Sequence, residues 1–282
     1  MEDYAFLHGL LADDLSSRYD EREAHTIARY VLEDVFGIRP PQYHLLLRPG
    51  DVERYNDLTH QLVARGRPWQ YVVGRADFYG YKFLVNEKVL IPRPETEELV
   101  HWLLETAPDR PLRVLDVGTG SGCIPITLRL KRPHWRVAGL DVDEGALEVA
   151  RRNAYALDAH VDFFRADALD VSGYADLPQL DLLISNPPYI SRSEVDRMPN
   201  HVREHEPDLA LFVTDDDPLQ FYRALAKLGL RCLGADGWLY VECSAFFAQE
   251  VATLFRQAGY DAVEVREDMQ GKPRLVRGQR RD

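Results

Sequence analysis

Asn186-Pro187-Pro188-Tyr189 is the stretch of this 282-residue chain whose residue types and order suit a definite chemistry. Each proline fixes φ and offers no N–H, so the backbone is stiff and the Pro187 carbonyl is free to accept a hydrogen bond. The Asn186 side-chain oxygen is a second acceptor. Two such acceptors meet the need of a planar NH₂ group, an amide or an exocyclic amine, whose lone pair is delocalised into a neighbouring π system. One hydrogen bond to each N–H orients the nitrogen, favours pyramidalisation and aims the lone pair at an electrophile. Tyr189 can stack on the planar group, and its ring face tolerates a nearby cation such as a methyl sulfonium. No strong base is required, because the nitrogen becomes acidic as its new bond forms. A Pro-Pro turn alone is only a turn; the Asn before it and the aromatic after it point to methylation of a planar nitrogen, with Asn186, Pro187 and Tyr189 as the catalytic set and Pro188 beside the substrate.

A donor site is legible upstream. Gly118-Thr119-Gly120-Ser121-Gly122 lies directly between a predicted strand and its helix, where glycines let the backbone approach a ligand that a Cβ would block. A dinucleotide fingerprint would need glycine at 123, where the chain has Cys123. S-adenosylmethionine carries no pyrophosphate and does not require it. Asp116, before the loop, is placed to accept hydrogen bonds from the methionine ammonium, directly or through water. Asp141 ends the second strand and can accept both ribose hydroxyls. Asp167-Ala168, read as the end of the third strand, would lie beside the adenine amino group. Asn186 is expected to border the cofactor as well as the substrate.

These residues need a frame. Before residue 70 the chain reads as helices: Tyr4 to Leu15, a stripe from Asp20 through Phe36 stopped by Gly37, and a run from Asp51 to Gly66. Residues 1–72 are thus expected to form a small helical bundle. Residues 73–92 form a β-hairpin linker around Phe78-Tyr79-Gly80, and residues 93–282 a catalytic domain. In the last, strands at 113–117, 136–140, 161–164, 182–185 and 238–241 alternate with helices, and two closing strands, 262–265 and 274–276, turn at Gly271. Repeated β-α-β units demand a doubly wound, mostly parallel sheet with ligands at the carboxyl ends of its strands; the final pair implies one antiparallel member.

Composition narrows the partners. The net charge is −12, against a long basic nucleic-acid-binding face and compatible with a basic protein partner or a small cationic cofactor. Cys123, Cys232 and Cys243 have no metal-ligand spacing and read as buried thiols in a reducing cytoplasm. His201 and His205, four apart, read as a surface pair, and no metal is expected. No apolar run is long enough to cross a bilayer, and the acidic N-terminus lacks a targeting pattern. A cytoplasmic monomer is the expectation.

With these residues in view, the chain resembles the release-factor glutamine methyltransferases, the HemK/PrmC family, over nearly its whole length. The resemblance rests on Phe78-Tyr79-Gly80, Leu90-Ile91-Pro92-Arg93-Pro94-Glu95-Thr96-Glu97, Asp116 to Ile124, Ser185 to Ile190, and Glu206-Pro207-x-x-Ala210-Leu211. The Ile-Pro-Arg-Pro-Glu-Thr-Glu stretch separates this family from other Asn-Pro-Pro-Tyr enzymes. The resemblance implies a Rossmann-like class I S-adenosylmethionine-dependent methyltransferase domain that methylates N5 of the glutamine in the Gly-Gly-Gln loop of class I peptide release factors. By that likeness Asn186 and Pro187 hold the glutamine amide, Tyr189 lines its pocket, Arg93 and Glu95 border the site, and the helical domain helps dock the factor. Two departures stand out: Glu242-Cys243-Ser244 where the family commonly has Glu-Ile-Gly, and Ala168 where it has a bulkier adenine-side residue. The alternative is an N6-adenine methyltransferase of DNA or RNA, whose amine poses the same problem to Asn-Pro-Pro-Tyr.

Overall fold

The N-terminal stripes form the helices that their spacing predicts. The computed structural model describes residues 2–170 and 177–281, and the chain divides into two compact units. The first comprises Met1–Arg75 with Pro199–His205. It contains α1 (Tyr4–Leu15), α2 (Glu21–Val31), α3 (Asp51–Thr59) and α4 (Trp69–Val73). Asp20 caps α2 by accepting from Glu23 N at 2.8 Å, one half of a capping box. The stripe runs on through a π-helical turn, Leu32–Phe36, and stops at Gly37, whose φ of 69° is left-handed. A second π-helical turn, His60–Ala64, extends α3. Leu7, Leu11, Leu15, Ile27, Val31, Phe36, Leu58 and Leu62 form this unit's own core.

The second unit, Ala76–Met198 with Glu206–Asp282, carries the candidate site. Its hairpin pairs β1 (Arg75–Phe78) with β2 (Tyr81–Leu84) across Tyr79 and Gly80, at φ 52° and 83°. Two positive φ values in sequence are what a tight type I′ turn needs. Then follow α5 (Pro94–Thr106), β3 (Arg113–Val117), α6 (Cys123–Lys131), β4 (Arg136–Asp141), α7 (Glu144–Ala156), β5 (Asp162–Arg165) and β6 (Leu180–Ser185). β7 (Ile190–Ser191) and β8 (Phe212–Val213) form a short parallel pair, β8 directly following α9 (Asp208–Leu211), while α8 (Asn200–His205) belongs to the first unit. The chain ends with α10 (Gln220–Cys232), β9 (Leu233–Glu242), α11 (Ala248–Ala258), β10 (Tyr260–Glu267) and β11 (Pro273–Arg280).

Seven strands form one sheet in the order β10-β11-β9-β6-β3-β4-β5, with β11 antiparallel to both of its neighbours and the other pairings parallel. Two apolar clusters fill this unit: one includes Leu99 and Leu103 of α5 and Ile126 of α6, the other Tyr222 and Leu225 of α10 and Val251 and Phe255 of α11. The chain reverses direction across the sheet between β3 and β6, where a doubly wound sheet opens its ligand crevice.

Two sequence expectations need correction. β9 begins at Leu233, five residues before the expected start, because Gly234-Ala235-Asp236-Gly237 is absorbed as a register shift against β6, with Asp236 at φ 64°. β5 ends at Arg165, so Asp167-Ala168 lies in the turn beyond the strand.

Candidate active site

The sheet register explains how residues far apart in sequence meet. Ser185 pairs with Val241 in the parallel β6–β9 ladder, so the next residues, Asn186 and Glu242, leave neighbouring strands side by side. Ser185 is held by its own hydroxyl, which donates to Val117 O at 2.7 Å. Pro94 and Thr96 open α5; Thr96 is buried and its hydroxyl donates to Glu242 Oε2 at 2.7 Å. Asn186 Nδ2 donates to that same Thr96 oxygen at 2.9 Å, and the Tyr189 hydroxyl donates to Glu242 Oε1 at 3.2 Å. Asn186, Thr96, Glu242 and Tyr189 are therefore one hydrogen-bonded group.

Glu242 is 1 % exposed. Burial pushes its carboxyl up to about 7; the nearby Glu95 adds to this, while the Thr96 and Tyr189 hydroxyls and Arg274 pull the other way. Burial raises the Tyr189 hydroxyl as well, so it stays a protonated donor.

A cleft of about 230 Å³ lies beside this group, walled by Gly118, Gly120, Asp141, Ala168, Asn186 and Pro188 among others. The loop glycines have left-handed φ, 74° at Gly118 and 52° at Gly120, and a Cβ on either would meet no protein atom within 4 Å. What a side chain would occupy there is open space rather than core. Asp141 braces the loop: Oδ2 accepts from Gly120 N at 2.8 Å and Oδ1 from Asp143 N at 3.0 Å. Each oxygen keeps further acceptor capacity for a diol. Buried Asn153 ties the loop to the hairpin, donating to Ser121 O and Leu84 O and accepting from Leu84 N.

Asp116 is fully buried behind the loop rather than on the cleft wall, and neither of its oxygens has a hydrogen-bond partner among the described residues. Burial pushes its carboxyl up to about 7, partly offset by the Thr119 hydroxyl and reinforced by Asp141. Orphaned acceptors of this kind call for a cationic or N–H donor. Asp167 is exposed and accepts from Leu169 N at 2.9 Å, while Ala168 lines the cleft with Leu169, Leu209 and Phe221. The apolar surface that a larger residue at 168 would give is thus supplied by these neighbours.

Arg93, read from sequence as a border residue, is an ion-pair anchor: Nη2 lies 2.6 Å from Glu206 Oε1, and Ile91 N donates to Glu206 Oε2 at 3.1 Å. Glu95 is half-buried near Glu242. Pro187 is buried, and the cleft wall is formed by its neighbours Asn186 and Pro188. The Cys243-Ser244 departure is accommodated. Cys243 packs buried in the core with its N–H on Arg274 O at 2.8 Å, and Ser244 is not among the residues of positive φ, so no glycine is needed there. Cys123 and Cys232 are buried free thiols too. His201 packs on Tyr19, and His205 Nε2 lies 3.1 Å from Arg65 O.

Sequence reasoning assigned no role to Thr96 or Glu242. The available signal was a carboxylate at the inner end of a buried strand, beside the strand that carries Asn186.

The site can bind a ligand with a diol and a flat apolar part, and can hold a planar NH₂ next to it. Residues 96–202 match the family model described as "Methyltransferase small domain". A release factor glutamine methyltransferase of Bacteroides thetaiotaomicron is 42% identical over 216 residues, 77% of either chain. One from Flavobacterium psychrophilum is 35% identical over 274 residues, 93% of this chain and 94% of the relative. Among solved structures, a methyltransferase from Pyrococcus furiosus aligns with a TM-score of 0.53 at 16% identity, over 82% of this chain and all of that one, a likeness of fold. At such identity over such coverage, this chain is a member of the release factor glutamine methyltransferase family.

Proposed function

We propose that this enzyme transfers a methyl group from S-adenosylmethionine to the side-chain amide nitrogen, N5, of the glutamine in the Gly-Gly-Gln loop of class I peptide release factors. The observation that carries the reading is Asn186-Pro187-Pro188-Tyr189 at the carboxyl end of β6, beside a glycine-walled cleft, in a chain of this family. When bound, the cofactor supplies a methyl group activated on a sulfonium. Asp141 would take its ribose hydroxyls, Asp116 and the loop 118–122 its methionine end, and the Ala168 region its adenine. Asn186 Oδ1 and the Pro187 carbonyl would each accept one N–H of the glutamine amide. They would orient the nitrogen lone pair towards the methyl carbon and favour pyramidalisation. Tyr189 and Pro188 would line the amide plane. As the N–C bond formed, the methyl–sulfur bond of the sulfonium would break with its electron pair left on sulfur, and the nitrogen would shed one proton to solvent and regain its conjugation. The unit containing Met1–Arg75 would help dock the release factor, with the enzyme acting as a cytoplasmic monomer.

Incubation with labelled cofactor, a release factor and duplex DNA tests this. Label is expected in the release factor; label confined to DNA would defeat the reading in favour of adenine methylation.

A further inference from the structure

Resting on that reading, we infer that Thr96 and Glu242 are positioning residues that fix which end of the Asn186 amide faces the substrate. An asparagine amide has a donor end and an acceptor end of nearly the same shape, and only the acceptor end can take an N–H from the substrate. Packing distinguishes the two ends poorly; hydrogen-bond polarity distinguishes them well.

The polarity runs in one direction. Glu242 receives two hydroxyl groups on its two oxygens, Thr96 at 2.7 Å and Tyr189 at 3.2 Å. Ionised, as it is above about pH 7, Glu242 is acceptor-only, and both hydroxyl protons then point at it. Thr96 has a single proton, and with it committed the oxygen can only accept. The Asn186 end that meets Thr96 at 2.9 Å must then be Nδ2, and Oδ1 is turned to the substrate side. Burial strengthens the choice: Thr96 is 3 % exposed and Glu242 1 %, so water does not compete for these bonds. Were the Thr96 proton turned to Asn186 instead, the amide would rotate and present an NH₂ to the substrate's NH₂, donor against donor. Glutamine at 242 does not reproduce this, because it puts an NH₂ donor where one of the two oxygens now accepts a hydroxyl. Neither Thr96 nor Glu242 needs to touch the substrate for this; each acts through Asn186.

The test compares Thr96→Val, which keeps the shape and loses the hydroxyl, with Thr96→Ser, which keeps the hydroxyl. Turnover is measured on a release factor, and the Asn186 side-chain NH₂ is followed by ¹H–¹⁵N NMR, assigned by its loss in Asn186→Asp. In Thr96→Val, kcat should fall by about 10²-fold with KM and cofactor affinity changed by less than about threefold, and the Asn186 NH₂ should exchange faster with water. Thr96→Ser should restore both kcat and slow exchange. Wild-type kcat in Thr96→Val, unchanged exchange there, or a folded Thr96→Ser that restores neither would overturn the inference. If the wild-type enzyme methylates no release factor, the proposed substrate fails, whereas the exchange measurement still decides the orientation of Asn186.

Discussion

At the scale of single residues, the site carries two buried carboxylates whose environments oppose their charge, and Asp116 shows what that costs. Its carboxyl holds a proton up to about 7 in the fold, against 3.8 for an ordinary aspartate. The folded state therefore binds more protons than the unfolded chain between those values. Stability from this group is fully present below the ordinary value and is lost as pH rises through about 7. Asp116→Asn should raise the stability of the ligand-free protein at about pH 8 by roughly 2 to 4 kcal/mol, read from the denaturation midpoint. The same change should weaken cofactor binding about tenfold or more, because the charge is lost and one of the two unpartnered acceptor oxygens becomes a donor. Pairing Asp116 with an ammonium favours its ionised form, so binding near about pH 6.5 should release a proton and tighten as pH rises. Calorimetry in buffers of different ionisation enthalpy would detect that proton, and its absence would remove Asp116 from the cofactor site. Asn186→Ala should leave cofactor affinity within a few-fold and lower kcat by roughly 10²- to 10³-fold, as when a preorganised hydrogen-bonding group is removed; unchanged turnover would exclude Asn186 from the mechanism.

Among the elements, the entry to α5 is fixed by one ion pair. The Arg93–Glu206 contact joins the segment before α5 to the segment before α9, and the Glu206 side chain is completely buried. Arg93→Ala strands that charge and should cost about 3 to 5 kcal/mol in thermal or chemical unfolding, whereas adding Glu206→Gln should recover much of the loss. An Arg93→Ala protein as stable as wild type would show the pair to be dispensable. The sequence displayed much of this architecture. The stripe ending at Gly37, the strand 113–117 and the closing antiparallel pair are local patterns, and local patterns are what periodicity reports. Asn186-Pro187-Pro188-Tyr189 was legible for the same reason, being contiguous. Thr96 and Glu242 were not, since 146 positions separate them and only the register of β6 on β9 brings Glu242 beside Asn186. The β9 start was misplaced because glycines that mark turns also mark bulges, and sequence alone does not separate the two. The β7–β8 pair was missed because two-residue strands carry no periodicity.

For the whole molecule, the decisive property is that the first unit, which contains Met1–Arg75, has an apolar core of its own. Leu11 is fully buried in that core. Leu11→Ala should destabilise it by about 2 to 5 kcal/mol. If the unit docks the release factor, KM for the factor should rise while cofactor affinity stays at the wild-type value; an unaltered KM in a variant shown to be destabilised would argue against docking by this unit. The net charge of −12 suits a protein partner better than a phosphate backbone. Mass spectrometry of the release-factor peptide spanning Gly-Gly-Gln, before and after incubation with enzyme and cofactor, tests the central claim most directly. The account predicts the mass of one CH₂ added on the glutamine side chain, and none with the Asn186→Ala enzyme. An unmodified glutamine after incubation with active wild-type enzyme, or the added mass on another residue, would contradict it.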